Sequence, residues 1–133
     1  YTEDELSKIV FEAALRVHRK LGPGLLERSY VVCLAHEIRK HGLKVEIEKE
    51  LPLMYEEIYL EVGYRIDILV DDKLIIELKC AENLVEAHEC QLINYLRATD
   101  CEVGLVLNFG KDPQFIRKIF TNDLKKNKIY TLL

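Results

Sequence analysis

Tyr64-Arg65-Ile66-Asp67-Ile68-Leu69-Val70-Asp71-Asp72-Lys73-Leu74-Ile75-Ile76-Glu77-Leu78-Lys79 is the most apolar stretch of the chain, yet two carboxylates and a lysine sit inside its aliphatic flanks. Both flanks are β-branched and alternating, and the short acidic segment 71–73 joins them, so the stretch reads as a β-hairpin. The pattern also fixes register. With Asp67 opposite Glu77, one face carries Ile66, Ile68 and Val70 against Leu74, Ile76 and Leu78. The other face carries Arg65, Asp67, Leu69, Ile75, Glu77 and Lys79. A slip by one residue sets charge opposite aliphatics throughout, so the paired register is favoured. Asp67, Glu77 and Lys79 are thereby gathered onto one patch.

Two carboxylates at neighbouring backbone positions repel each other unless a cation lies between them. Hard oxygen ligands of this kind suit Mg²⁺ or Mn²⁺, held by one or two carboxylates with water and phosphate oxygens completing the shell. A lysine two residues beyond a ligand, on the same strand face, is placed to orient a metal-bound water or to stabilise developing negative charge. The competing account is a surface ion-pair cluster worth under about 1 kcal/mol.

Four further segments accompany the hairpin. They are Gly24-Leu25-Leu26-Glu27-Arg28-Ser29-Tyr30, Gly63-Tyr64-Arg65-Ile66-Asp67, Gln91-Leu92-Ile93-Asn94-Tyr95-Leu96 and Gly104-Leu105-Val106-Leu107-Asn108-Phe109-Gly110. With Glu77-Leu78-Lys79 in its place among them, the set resembles, in order, the blocks of the GxxExxY family of small PD-(D/E)xK nuclease-like proteins. Ile66 stands where the superfamily's formula has Pro. The resemblance implies a PD-(D/E)xK nuclease-like α/β sandwich with a mixed central sheet flanked by helices. It also implies a catalytic set of Asp67, Glu77, Lys79 and Gln91, and a metal set of Asp67, Glu77 and Glu27. Such superfamilies include silent members, so fold alone does not establish activity.

Working outward, the 133 residues suit one domain, 1–133, burying roughly two-thirds of its unfolded surface. With 49% apolar and 32% charged residues, the composition is that of a folded globular chain. No apolar run approaches the ~20 residues that span a bilayer, and no signal peptide is evident. Cys33, Cys80, Cys90 and Cys101 form no C-x-x-C pair and no zinc spacing, which points to buried or half-buried free thiols in a reducing cytoplasm. His88-Glu89-Cys90 reads as helix surface.

Thr2-Glu3-Asp4-Glu5 is a capping box opening a helix with an apolar stripe of Leu6, Ile9, Val10, Ala13, Val17 and Leu21. Gly22-Pro23-Gly24 ends it. A second helix over 25–41 would bury Leu26, Val31, Leu34, Ala35 and Ile38. Strands follow at 43–55, interrupted near Pro52, then at 58–70 and 73–79. A third helix is expected over 83–98, with a core stripe of Val85, Ala87, Leu92, Ile93 and Leu96. A buried strand spans 103–107, and 115–120 alternates weakly as a last short strand. The order is ααβββαβ.

Glu27 falls in the first turn of the second helix with Tyr30 on the same face. It is either a third acidic ligand or a residue favouring the helix macrodipole. Tyr30 either supports Glu27 by a hydrogen bond or simply packs. His88, Gln91 and Tyr95 form a second stripe on the third helix, facing either the hairpin patch or solvent.

Charge does not advertise a nucleic-acid binder. The net charge is −4, with Glu46, Glu48, Glu50, Glu56, Glu57 and Glu61 on the acidic side. Arg16, Arg19 and Lys20, and Lys125, Lys126 and Lys128, are the cations available to a phosphate backbone. Dimerisation or a partner protein would enlarge a weak footprint. The expectation is a Mg²⁺- or Mn²⁺-dependent nuclease acting on DNA, with RNA the second choice. The alternative is a catalytically silent nucleic-acid- or protein-binding module on the same fold. By analogy with the superfamily, Lys79 would orient or activate a water for in-line attack, leaving a 3′-hydroxyl and a 5′-phosphate.

Overall fold

Thr2 opens helix α1 (Glu3–Leu21) as the sequence expects: its hydroxyl accepts the Glu5 N–H at 3.1 Å, and Glu5 Oε1 accepts the Thr2 N–H at 2.9 Å. The structure is a computed structural model and describes residues 1–60, 63–125 and, as backbone, 131–132. The stripe of α1 packs against α2 (Glu27–Arg39), whose Tyr30, Val31, Leu34, Ala35 and Ile38 are buried. Leu26 is not part of that stripe. It precedes the first helical residue as the N-cap, off the helical spiral, and is 79% exposed.

Beyond α2 come β1 (Val45–Glu50), β2 (Leu53–Tyr55), β3 (Ile58–Leu60), β4 (Arg65–Val70) and β5 (Leu74–Lys79). Then follow α3 (Glu86–Ala98), β6 (Val103–Asn108), β7 (Gln114–Ile119), a 3₁₀ turn (Asn122–Leu124) and β8 (Thr131–Leu132). The main sheet has the order β1-β4-β5-β6-β7 and is antiparallel except for the β5–β6 pair. It is the expected mixed-sheet α/β architecture, with more strands than expected. Pro52, which has no N–H to offer a ladder, separates β1 from β2. Glu56, at φ 51, turns the chain between β2 and β3, and these two form a second, three-stranded sheet with β8. The expected strand over 58–70 is therefore two strands in different sheets, with residues 61–62 between them outside the described residues.

The β4–β5 hairpin has the register read from pattern, with Ile68 opposite Ile76, Leu69 opposite Ile75 and Val70 opposite Leu74. Asp71 and Asp72 lie in the left-handed region at φ 49 and 57, a conformation that short-side-chain Asp tolerates in hairpin loops. Ile68, Val70, Leu74, Ile76 and Leu78 pack under α1 and α2. On the opposite face Leu69, Ile75 and Val106 pack under α3.

Ile66 departs from its expected face and joins the α3 side. The alternation fails at Asp67, which no ladder pairs. On the β1 side the pairs Ile47–Ile68 and Lys49–Ile66 leave Asp67 facing Glu48, itself at φ 50. A break in the ladder frees the chain to rotate, and the next side chain changes side.

Three further readings change. The third helix starts at Glu86, so Val85 precedes it and is 52% exposed, and Ala87 is exposed too; Leu92, Tyr95, Leu96 and Ala98 form the buried stripe. Cys80 and Cys90 are exposed, Cys33 is half-buried and Cys101 is buried. Lys125 is no solvated cation, because it is buried with Nζ donating to the carbonyls of Thr99 and Cys101. Glu61, Lys126 and Lys128 lie outside the described residues.

Candidate functional site

The site forms where β4 and β5 part company, at the end of the hairpin away from its turn. Asp67 and Glu77 are in register but exchange no backbone ladder bonds there. Side chains replace them. Asp67 Oδ2 accepts the Leu78 N–H at 2.8 Å, and Glu77 Oε1 accepts the Asp67 N–H at 3.2 Å. Each carboxyl group is thus tied to the backbone of the other strand. Lys79, one turn of the pleat beyond Glu77, donates from Nζ to Gln91 Oε1 on α3 at 3.0 Å. Gln91 Nε2 in turn lies 3.4 Å from the Tyr95 hydroxyl.

Burial sets the electrostatics. Glu77 is 2% exposed, and loss of hydration followed by repulsion from Asp67 pushes its carboxyl up to about 9 from an ordinary 4.5. Asp67 is raised too, chiefly by burial and against the Leu78 N–H and Lys79. The Tyr95 phenol is raised by burial and then by Glu77 and Asp67. A buried carboxyl that keeps its proton beside a half-buried carboxylate is a donor set that a hard divalent cation would relieve, since it would replace the Glu77 proton. The residues therefore fit Mg²⁺ or Mn²⁺.

Glu27 approaches from the helical face of the sheet. Burial raises its carboxyl, then Asp67 raises it and Lys79 opposes, so it shares the field of the hairpin patch. The structure stops short of joining it to the pair: among the described residues no cluster of three or more His, Cys, Asp or Glu is in ligating arrangement. Its position is set by the loop before it. Gly24, at φ 102, takes a conformation that side chains resist, and the Tyr30 hydroxyl fastens that loop, donating to the Gly22 carbonyl at 2.5 Å and accepting the Leu25 N–H at 3.2 Å. Tyr30 thus holds the loop that presents Glu27 and does not bond Glu27 itself.

His88 belongs elsewhere. Its Nδ1 accepts the Val85 N–H at 3.2 Å, which caps α3.

The sequence reading gave no role to Asn108-Phe109-Gly110, although this segment clamps both halves of the site. The Phe109 N–H donates to the Lys79 carbonyl at 2.8 Å, and its ring stacks on Tyr30 at 4.9 Å. The fully buried Asn108 amide bonds both the N–H and the carbonyl of Ala81, at 2.9 Å each. Gly110 is required by close approach, because a Cβ there would lie 2.2 Å from the Ala81 carbonyl oxygen. The available signal was a polar Asn closing an otherwise apolar strand. Gly110→Ala should cost about 1–3 kcal/mol in urea unfolding, the range for forced overpacking. A change within a few tenths would mean that the loop yields freely.

A family model described as the PD-(D/E)XK nuclease superfamily matches residues 4–119. The chain belongs to that superfamily. No curated protein and no solved structure matches it.

Proposed function

We propose that the protein is a Mg²⁺- or Mn²⁺-dependent nuclease that hydrolyses phosphodiester bonds in DNA, with RNA as second substrate. Within the superfamily we read it as one of the GxxExxY proteins, on Gly24, Glu27 and Tyr30, and as a single domain over 1–133 working in the cytoplasm. The observation that carries the reading is the pair of buried Glu77 and half-buried Asp67, each accepting a backbone N–H of the other strand at a break in the ladder, next to a lysine held by Gln91. Asp67 and Glu77 would hold the ion, with Glu27 reaching it through water. When bound, the ion supplies a Lewis acid for a phosphate oxygen and a water of lowered pKa. Lys79, aimed by its bond to Gln91 Oε1, would orient a water for in-line attack on the phosphate. The acidic surface, −4 overall, favours a second copy or a partner protein to supply the missing phosphate contacts.

The second reading is a silent binding module. It is favoured by the proton on Glu77, which lets the pair rest without any ion. Incubation with plasmid, linear and single-stranded DNA and with RNA in Mg²⁺ or Mn²⁺ separates the two. Cleavage by the wild type that is lost in Asp67→Ala is expected. Intact substrates throughout would leave the binding module.

A further inference from the structure

Beside the acidic pair, on the α3 side, opens a pocket of about 440 Å³, within the range of small-ligand sites. Its walls include Tyr64, Ala87, Cys90, Gln91, Asn94 and Tyr95. We propose that this pocket holds one unpaired nucleobase of the strand being cut, so that the substrate is single-stranded or frayed nucleic acid. The proposal rests on the nuclease reading and names the substrate class of the same site.

Adjacency comes first. Gln91 and Tyr95 belong to both places: Gln91 Oε1 accepts the Lys79 ammonium at 3.0 Å, while the same side chain and its Tyr95 neighbour form a pocket wall. A phosphate at the acidic pair therefore brings its own nucleoside to the pocket mouth.

The chemistry of the walls comes second. Tyr64 stands edge-on to Tyr95 at 6.4 Å and 81°, and it is 41% exposed, so its ring is free to stack on a flat ligand. The Asn94 amide offers a donor and an acceptor, and Gln91, whose Oε1 holds Lys79 and whose Nε2 faces Tyr95, keeps a second N–H, together the complement of a base edge. Among the described residues no charged side chain lines the pocket, so the occupant is a neutral, flat group with a polar rim and not a phosphate. A base inside a duplex must leave its stack to enter such a recess, whereas an unpaired one need not. The neighbouring β1 strand carries Glu46, Glu48 and Glu50 against a single lysine, Lys49, itself paired with Glu46, and so offers a duplex backbone no basic track.

The exposed thiol of Cys90 on the pocket wall makes the occupant observable. The wild-type protein in Ca²⁺ is treated with iodoacetamide, and alkylation of the Cys90 peptide is followed by mass spectrometry. The probes are oligothymidylate, a duplex of equal length and an abasic strand of equal length. Oligothymidylate should slow the reaction severalfold, and the other two should not. Ala87→Trp, at an exposed helix position that tolerates a larger side chain, should fill the pocket. It should weaken oligothymidylate binding at least about tenfold by anisotropy, the loss of a good stacking contact, and leave abasic-strand binding unchanged. Equal protection by all three probes, or by none, overturns the pocket. The nuclease reading is judged separately: duplex cleavage without Cys90 protection removes the base site and keeps the enzyme. Absence of any cleavage removes the enzyme whatever Cys90 reports.

Discussion

Glu77→Gln should make the protein more stable, and increasingly so as pH rises. The sign follows from proton counting. In the folded state Glu77 holds its proton up to about 9, whereas in the unfolded chain it releases it near 4.5. Between those limits the native state binds up to one proton more than the unfolded state, so stability falls as pH rises, by at most about 1.4 kcal/mol per unit. Asp67 is shifted in the same direction and adds to the slope. Gln has the size of Glu and an oxygen to accept the Asp67 N–H, but it has no charge to desolvate. The variant should match the wild type in mild acid and exceed it progressively toward pH 9, with a flatter profile. Urea unfolding across that range checks it. A wild type whose stability is flat over the window would mean that Glu77 is hydrated in solution, and the buried-pair account would fail.

Such a group is retained against stability, which is the usual mark of a residue kept for chemistry. Much of this was readable before any coordinates. The apolar alternation around Asp67 and Glu77 admits one register, and a one-residue slip is costly over the whole hairpin, so pattern alone located the patch. The capping box at Thr2 and Glu5 is equally local and equally legible. What escaped was set by breaks and by distant packing. Ile66 changed face because the ladder is interrupted at Asp67 and Glu48, an event that no alternation encodes. The stretch 58–70 divided because β3 finds its partner in β2 and not in the main sheet. Lys125 reads as a terminal cation in any sequence, and only the carbonyls of Thr99 and Cys101 reveal a buried role. Tyr64 reads as one residue inside the strand 58–70, and its position against Tyr95 depends on α3 crossing that face.

Asp67→Asn separates an ion site from a structural cluster more sharply than any other change. Without metal the variant should be as stable as the wild type or more so. The Asn carbonyl oxygen can still accept the Leu78 N–H, its amide nitrogen can donate to Glu77, and the charge that disfavours ionisation of Glu77 is gone. A structural ion-pair cluster predicts the opposite, a modest loss of stability on neutralisation. Addition of Mn²⁺ then divides the two proteins. Ligand at about a hundredfold its dissociation constant stabilises the native state by about 2.7 kcal/mol, which for a domain of this size raises Tm by about 5–10 °C. The wild type should show that rise, strongest above neutral pH where the ion displaces the Glu77 proton more easily. Asp67→Asn should show little or none. Cleavage should fall with it by at least about a hundredfold, since a Lewis acid worth several kcal/mol is lost. Equal thermal shifts in both proteins would place the ion elsewhere, and the acidic pair would then be a proton-sharing structural contact on a binding module.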